Sequence, residues 1–305
     1  MGTPRAAVPT LERIMHDGHE VVAVYTQPDR PSGRGNNIAF SPVKEYSLEN
    51  NLTVVQPLKI RTPESIETFR SHKANIAVVV AYGRILPETF LNAFPKGAIN
   101  VHFSLLPKYR GAAPVNWAIV NGETETGVTT MQMDAGLDTG DILLQRSTSI
   151  VTDETAIGLM ARLSYISADV LSETVANLDA IESKQQDHSL ATLAPMMKRE
   201  DGVIDWQMSA KEISNRVRGF QPFPTAFTYL QKTKLTLWRA FPADVSVVDG
   251  FVGEIVEAHG DDFLVRCGDA SILKIDEIQP EGKRKMAVRD FLNGFKPQTR
   301  IVLGT

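Results

Sequence analysis

The sequence has little cysteine and no long apolar segment. Cys267 is the one cysteine among 305 residues, so no disulfide can form within the chain and a reducing compartment is expected. The longest strongly apolar run, residues 76–82, is far shorter than the roughly 20 residues of a membrane-spanning helix. No apolar segment of a signal peptide follows Met1. These absences predict a cytoplasmic protein without a membrane span.

An excess of positive charge is also lacking. The chain has 32 Lys and Arg against 36 Asp and Glu, giving a net charge of −4. This balance offers no broad positive field for nucleic acid, so such a contact would depend on local basic patches. The apolar fraction of 43% is that of a globular protein, and the length suggests two domains.

Several common catalytic motifs are missing. We find no G-x-S-x-G, no P-loop and no H-E-x-x-H. The GRG of residues 33–35 lacks the G-x-G-x-x-G spacing of a dinucleotide site, which argues against a nicotinamide-dependent dehydrogenase. Arg30 and Arg34 lie in this Gly- and Pro-rich loop, which is either a solvated loop or one that contacts phosphates.

Strands and helices alternate through the first half of the chain. The nearly all-apolar residues 74–82 are typical of a parallel strand covered on both faces. Thr62 and Pro63 are the capping and first residues of a predicted helix. The alternation predicts an α/β fold with a Rossmann-like, doubly wound, mostly parallel sheet over residues 1–181.

The pattern changes after this first domain. Residues 182–201 are mostly polar and lack a sustained period, so we predict a linker. Five short predicted strands and two helices follow within residues 202–305, which indicates a small β-barrel.

The chain begins with the residues MGTP, in the loop that would follow the first strand of a doubly wound domain. We expect either that the sheet lacks this strand or that translation starts several codons upstream, with a short apolar strand encoded there.

The stretch INVHFSLLP, residues 99–107, is a predicted strand with polar side chains on one face. Asn100, His102 and Ser104 alternate with apolar residues and therefore point the same way. In open α/β sheets, ligands bind beyond the carboxyl ends of the strands. A lone histidine here would be a satisfied core residue, whereas three alternating polar residues favour a site.

A second candidate is MDAGLDTGD, residues 133–141, with carboxylates at Asp134, Asp138 and Asp141. Three interpretations are open. Asp and Gly are ordinary turn residues. Three carboxylates could hold a metal, although no second cluster of His or Cys ligands accompanies them. One carboxylate could instead lie beside His102 and fix its tautomer.

These motifs together resemble the methionyl-tRNA formyltransferases of the formyltransferase superfamily. The resemblance rests on INVHFSLLPKYRGAAPVNWAI and ETGVTTMQMDAGLDTGDIL, and also on TQPDRPSGRG, VVVAYGRILP and RGFQPFPTAF. It covers essentially the whole chain. It implies a Rossmann-like domain followed by an OB-like barrel that helps to hold tRNA.

The resemblance also implies the reaction and its residues. A formyl group would move from 10-formyltetrahydrofolate to the α-amine of methionyl initiator tRNA, without a metal. The implied catalytic residues are Asn100, His102 and Asp138. The implied folate-binding residues are Ser104, Leu105, Leu106 and Pro107 on one segment and Tyr82, Ile85, Leu86 and Pro87 on another.

For tRNA we expect contacts from Arg30 and Arg34 in the loop and from the basic run Lys283, Arg284 and Lys285. We expect the protein to be a monomer. The loop ends in Asn36 and Asn37, where relatives carry more basic residues, so we expect a weaker grip on RNA. Two other functions stay open. One is a formyltransferase acting on an amino-sugar nucleotide or glycinamide ribonucleotide; the other is a catalytically inactive module that binds RNA or folate.

Overall fold

The computed structural model describes residues 1–32, 37–245 and 249–304 in two compact units. The first unit comprises Met1–Pro114, Glu125–Ser149 and Met160–Pro195. The second comprises Val115–Thr124, Ile150–Leu159 and Met196–Thr305, of which Thr305 itself lies outside the described residues.

Helices and strands alternate first and give way to a run of strands. The helices α1 to α8 are Val8–His16, Pro42–Glu49, Pro63–Ser71, Glu88–Leu91, Pro114–Val120, Ala156–Ala176, Ala210–Gly219 and Val288–Phe295. The strands β1 to β14 are Val24–Tyr25, Arg30–Ser32, Asn37–Ala39, Val54–Val55, Ala77–Val80, Ala98–His102, Glu125–Gln132, Ile142–Ser149, Ala226–Leu230, Thr233–Ala243, Ile255–His259, Asp262–Arg266, Ile272–Pro280 and Met286–Ala287.

The first unit contains the predicted α/β sheet. Its main part has the order β5-β6-β7-β8, with β5 and β6 parallel and β7 antiparallel to both of its neighbours. Strands β1 and β4 form a separate parallel pair. The α/β fold class is confirmed.

The start of the chain lies between these two groups of strands. The Gly2 amide donates to the Tyr25 carbonyl at 2.9 Å, and the Val80 amide donates to the Met1 carbonyl at 2.9 Å. Two residues therefore hydrogen-bond to both β1 and β5. The expectation of an upstream strand stays a prediction.

The second unit is built on an antiparallel sheet of order β11-β12-β13-β10-β9, to which β14 is added beside β13. Leu235, Phe263, Ile275 and Phe291 are fully buried in its core. Register shifts near Arg239 mark a bulge, which increases local twist. The predicted β-rich domain is therefore present, and within the described residues β11 and β9 end the path of strands, so the sheet does not close into a barrel.

Local sequence signals explain where the predicted helices begin. The Thr62 hydroxyl accepts a hydrogen bond from the Ser65 amide at the start of α3, as its position predicts. Ser209 and Glu212 form a reciprocal capping box at the start of α7. Such a cap contributes about 1 kcal/mol to stability. No helix in the described ranges is long and apolar enough to cross a bilayer.

The predicted linker is mostly part of the first unit. The Arg110 amide donates to the Thr192 carbonyl at 2.9 Å, and the Ala194 amide donates to the Arg110 carbonyl at 2.7 Å. Lys184 exchanges two backbone hydrogen bonds with Ile142. Residues 182–195 are thus held by backbone hydrogen bonds and include a short 3₁₀ helix, His188–Leu190, which explains why their sequence shows no sustained helical or strand periodicity.

Candidate active site

Strand β6 presents the two polar side chains that its alternation predicts. Asn100 and His102 lie on one face, and both are buried, at 9% and 5% exposure. The strand is hydrogen-bonded to β5 at one edge and to β7 at the other, and all five of its residues are buried. The polar pair therefore reaches the carboxyl end of the sheet from a rigid support.

The loop after β7 brings a carboxylate to this pair. Asp134 organises the turn, because its carboxylate accepts hydrogen bonds from the Gly136 amide and the Thr139 hydroxyl. Asp138 has a φ of 52°, in the left-handed region. The turn interpretation thus holds for Asp134, and the interpretation of a carboxylate beside histidine holds for Asp138. The described residues include no His, Cys, Asp and Glu group fit to hold a metal ion.

Asp138 contacts three residues of the site through its two carboxylate oxygens. Asn100 Nδ2 lies 3.4 Å from Oδ1, and His102 Nδ1 lies 3.6 Å from Oδ2. The Gly111 amide donates to Oδ2 at 2.8 Å. The carboxylate is only 16% exposed, so its charge acts on its neighbours with little screening by water.

The ring of His102 is oriented by its other nitrogen. Nε2 lies 2.9 Å from the Tyr109 carbonyl, which can only accept, so Nε2 carries a proton. Nδ1 therefore faces the Asp138 carboxylate. In the protonated ring, Nε2–H would face the Tyr109 carbonyl and Nδ1–H would face the Asp138 carboxylate. Because Nε2 is already bound to a carbonyl, Nδ1 is the nitrogen that can exchange a proton with a substrate.

The segment of residues 104–107 is fixed by its backbone. Its four carbonyl groups accept, in chain order, from Thr129 Oγ1, the Lys108 amide, Gln145 Nε2 and the Thr192 amide. Ser104 and Leu106 are buried, whereas Leu105 and Pro107 are half-buried. The segment is thus a rigid platform that presents apolar side chains.

The loop of residues 82–87 follows β5 at the same edge of the sheet. Tyr82 and Leu86 are buried, Pro87 is half-buried and Ile85 is 68% exposed. Burial raises the pKa of the Tyr82 phenol, whose oxygen has no hydrogen-bond partner in the described part of the chain. No backbone hydrogen bond of the described residues uses the N–H or C=O of Ile85 or Leu86.

The predicted tRNA-contacting residues are found on both units. Arg30 is exposed at the start of β2, whereas Arg34 lies outside the described residues. Lys283 and Arg284 are exposed in the turn between β13 and β14. Lys285 forms an ion pair with Glu277 at 2.5 Å, and its ammonium lies 5.5 Å from the Trp238 ring centre.

Sequence reasoning missed three linked residues, of which Gln186 contacts the backbone of the Asp138 loop. Arg110 and Gln186 are buried and hydrogen-bonded to each other, and His188 accepts from Arg110. Arg110 lies in the KYRG block that follows the site strand and the segment of residues 104–107, which is a signal that could have been used. Gln186 gives no such signal, because it lies in the polar segment that we predicted as a linker.

Comparisons with known proteins agree with this geometry. The formyl transferase family matches residues 1–175, and the formyl transferase C-terminal domain matches residues 196–296. An N-formyltransferase from Helicobacter canadensis, solved with folinic acid and dTDP-3-aminofucose, has a TM-score of 0.67. It is 20% identical, covering 92% of this chain and 97% of that one, and supports the fold alone.

Two relatives are much more similar in sequence. The methionyl-tRNA formyltransferase of Geobacter sulfurreducens is 48% identical over 305 residues, covering 99% of this chain and 95% of that protein. The methionyl-tRNA formyltransferase of Solibacter usitatus is 49% identical over 306 residues, covering 100% and 97%. With both family domains matched along nearly its whole length, the chain belongs to the formyl transferase family.

Proposed function

We propose that this protein is an enzyme that transfers a formyl group from 10-formyltetrahydrofolate to the α-amine of methionyl initiator tRNA. The observation that carries the proposal is the cluster of Asn100, His102 and Asp138 at the carboxyl end of the sheet, in a chain 48% identical to a methionyl-tRNA formyltransferase. The product would be the formylmethionyl-tRNA that begins translation.

The reaction needs a donor to the formyl oxygen. The amine nitrogen bonds to the formyl carbon, the bond from that carbon to the folate nitrogen breaks, and the oxygen carries negative charge in between. The Asn100 amide is a fixed hydrogen-bond donor on a buried strand. Removing one such donor costs roughly 10²–10³ in rate.

The reaction also moves a proton from the amine to the departing folate nitrogen. We propose that His102 donates through Nδ1 and that Asp138 stabilises the charged ring. An alternative is that Asp138 takes the amine proton through a water, because among the described residues the one contact of its Oδ1 is the long one to Asn100. Positioned proton transfer of this kind contributes roughly 10²–10⁴ in rate.

The residues around the site suit a folate. A pterin ring has an apolar face and an edge of alternating donors and acceptors. The exposed Ile85 side chain and the open backbone groups of Ile85 and Leu86 offer both kinds of contact. The rigid segment of residues 104–107 would form the other wall, with Leu105 and Pro107 towards the ligand.

We propose that the acceptor is a tRNA held through basic residues on each unit. Arg30 and the pair Lys283 and Arg284 are exposed and could contact phosphates, which carry most of the affinity in such complexes. A monomeric state, a cytoplasmic location and independence of metal stay predictions.

Incubation of the protein with 10-formyltetrahydrofolate and charged initiator tRNA tests the proposal. Formylmethionine should accumulate on the tRNA. An amino-sugar nucleotide or glycinamide ribonucleotide in place of tRNA distinguishes the other formyltransferases. A protein that formylates one of these and leaves methionyl-tRNA unchanged has the proposed donor and a different acceptor.

A further inference from the structure

The side chain of Gln186 is hydrogen-bonded to the backbone of the Asp138 loop. It is 3% exposed, and its Nε2 donates to the Asp138 carbonyl at 3.0 Å and to the Gly140 carbonyl at 2.7 Å. Its Oε1 accepts from Arg110 Nε at 3.1 Å and from Arg110 Nη2 at 2.6 Å. Both N–H groups and both lone pairs of the amide are therefore used.

Arg110 is an unusual partner for this amide. Its side chain belongs to a residue that is 7% exposed, and its guanidinium donates to Gln186 and to His188 Nδ1, at 3.1 Å. Both acceptors are neutral when Nδ1 accepts. A buried charge is costly unless it is well paired, so a guanidinium held by neutral groups indicates a role beyond packing.

The next residue in the chain holds the same loop from another direction. The Gly111 amide binds Asp138 Oδ2, while Arg110 acts on the Asp138 carbonyl through Gln186. Asp138 is in the left-handed conformation, which is uncommon for a non-glycine residue although Asp and Asn adopt it more readily than most. The contact of Gln186 with its carbonyl and the contact of Gly111 with its carboxylate together fix both ends of the residue.

We infer that Arg110 and Gln186 are positioning residues for formyl transfer: they hold the Asp138 backbone so that its carboxylate stays beside Asn100 and His102. This inference rests on the proposed function of the site. His188 Nδ1 helps to orient Arg110, because it accepts from the same Nη2 that donates to Gln186. A displacement of about 1 Å in a reacting group can cost about 10²-fold in rate, which sets the size of effect expected.

Substitution of Gln186 tests the inference, with its neighbour as the control. Gln186→Met removes every bond to the loop, and Gln186→Glu keeps an acceptor for Arg110 but places negative oxygen against two carbonyls. We expect each to lower kcat about 10²-fold with the KM for folate and for tRNA changed less than about twofold. Gln185→Met and Gln185→Glu make the same changes at an exposed position and should leave kcat unchanged.

Arg110 and His188 provide further variants, of which His188→Ala and Arg110→Lys disturb the fold least. Arg110→Lys can still donate one hydrogen bond to Gln186 and should retain more activity than Arg110→Met. His188 is exposed, so His188→Ala should fold normally and lower kcat by a few-fold through Arg110. An unchanged kcat in both His188→Ala and Arg110→Met would overturn the inference.

A double variant separates positioning from a merely structural effect. If Gln186 acts through Asp138, then Asp138→Asn with Gln186→Met should be within about threefold of Asp138→Asn alone. If the two effects multiply instead, to about 10⁴-fold, Gln186 does not act through Asp138 and the inference is wrong.

Side-chain NMR of His102 gives a readout that does not depend on the acceptor. The His102 ring signals should move in Gln186→Met in the same direction as in Asp138→Asn, and should not move in Gln185→Met. Signals that stay in place in Gln186→Met overturn the inference even if the enzyme is active. A wild-type protein that fails to formylate methionyl-tRNA overturns the proposed function, while the His102 signals still decide the positioning role.

Discussion

His102 Nδ1 lies 3.6 Å from Asp138 Oδ2, although the two residues belong to different elements of the first unit. Strand β6 fixes His102, and the loop after β7 carries Asp138, whose backbone is in the left-handed conformation. Because Nε2 of the same ring is bound to the Tyr109 carbonyl, Nδ1 is the ring nitrogen that faces the carboxylate.

Replacement of Asp138 by asparagine should stop most of the transfer. Asn tolerates the left-handed conformation and can still accept from Gly111, so the fold should be kept. The negative charge beside His102 is lost, and we expect kcat to fall about 10²-fold or more. Single-turnover rates of formyl transfer measure the effect.

Asp179→Asn is the matched control, since it makes the same change at an exposed carboxylate paired with Lys96. Its rate should equal that of the wild type. Equal rates for Asp138→Asn and the wild type would remove Asp138 from the catalytic residues.

Gly111→Ala should weaken both the fold and the site. Gly111 has a φ of 122°, and an added Cβ would lie 2.7 Å from the Ala194 carbonyl oxygen. The strained backbone costs about 1–3 kcal/mol of unfolding free energy, and the clash with residues 182–195 adds to it. Denaturant unfolding measures the loss, and kcat should fall because the Gly111 amide binds Asp138.

Gly18→Ala distinguishes the two causes. Gly18 has a φ of 82° with no atom within 4 Å of the added Cβ, so only the backbone term applies. We expect a smaller loss of about 1 kcal/mol and no change in kcat. An equal loss in both variants would show that residues 182–195 do not pack closely on Gly111.

Short-range patterns predicted much of this structure. The Thr62 cap placed the start of α3, and side-chain alternation placed Asn100 and His102 on one face. The apolar run of residues 74–82 indicated a parallel strand, and β5 is parallel to β6. Each of these signals depends on residues that are neighbours in the sequence.

The remaining features depend on contacts between distant residues. The role of Asp138 as a neighbour of His102 was one of three open interpretations, because loop composition does not determine where a loop folds. Residues 182–195 were predicted as a linker because their sequence has no periodicity. Their structure depends instead on backbone hydrogen bonds to distant residues such as Arg110 and Ile142. A small barrel was predicted from the number of strands, but whether the sheet closes depends on the pairing of its end strands β9 and β11.

Asp29 should titrate abnormally at the base of the β2–β3 hairpin. Its hydrogen bond with Lys44, and then that with Gln56, holds the pKa of its carboxyl below the usual 3.8. A folded-state pKa below the unfolded value means that the contribution to stability is present above pH 3.8 and is lost as the pH falls through the lower value.

NMR titration of the carboxyl carbon measures this pKa directly. The midpoint should lie below 3.8 in the wild type and rise towards it in Lys44→Met. Lys59→Met, which removes an exposed lysine of the same unit, is the control and should leave the midpoint in place. A wild-type midpoint at or above 3.8 would contradict the bond to Lys44.

The basic turn of the second unit should contribute to tRNA affinity through charge. Lys283 and Arg284 are exposed, whereas Lys285 is already paired with Glu277. We expect the double variant Lys283→Ala, Arg284→Ala to weaken binding and to reduce the slope of log affinity against log salt by about 2, or about 1 per charge. Filter binding at several salt concentrations measures the slope.

Arg289→Ala serves as the control for net charge, because Arg289 is exposed and paired with Asp261. It should change the slope less than either substitution in the turn. An affinity that stays flat from low to moderate salt in the wild type would exclude a phosphate-binding role for these residues.

Formyl transfer to methionyl initiator tRNA, followed with a labelled 10-formyltetrahydrofolate, tests the central claim most directly. The wild type should place one formyl group on the methionine α-amine of each charged tRNA, and Asp138→Asn should do so about 10²-fold more slowly. A wild-type protein that leaves methionyl-tRNA unformylated, or an Asp138→Asn variant that matches it, would contradict the account.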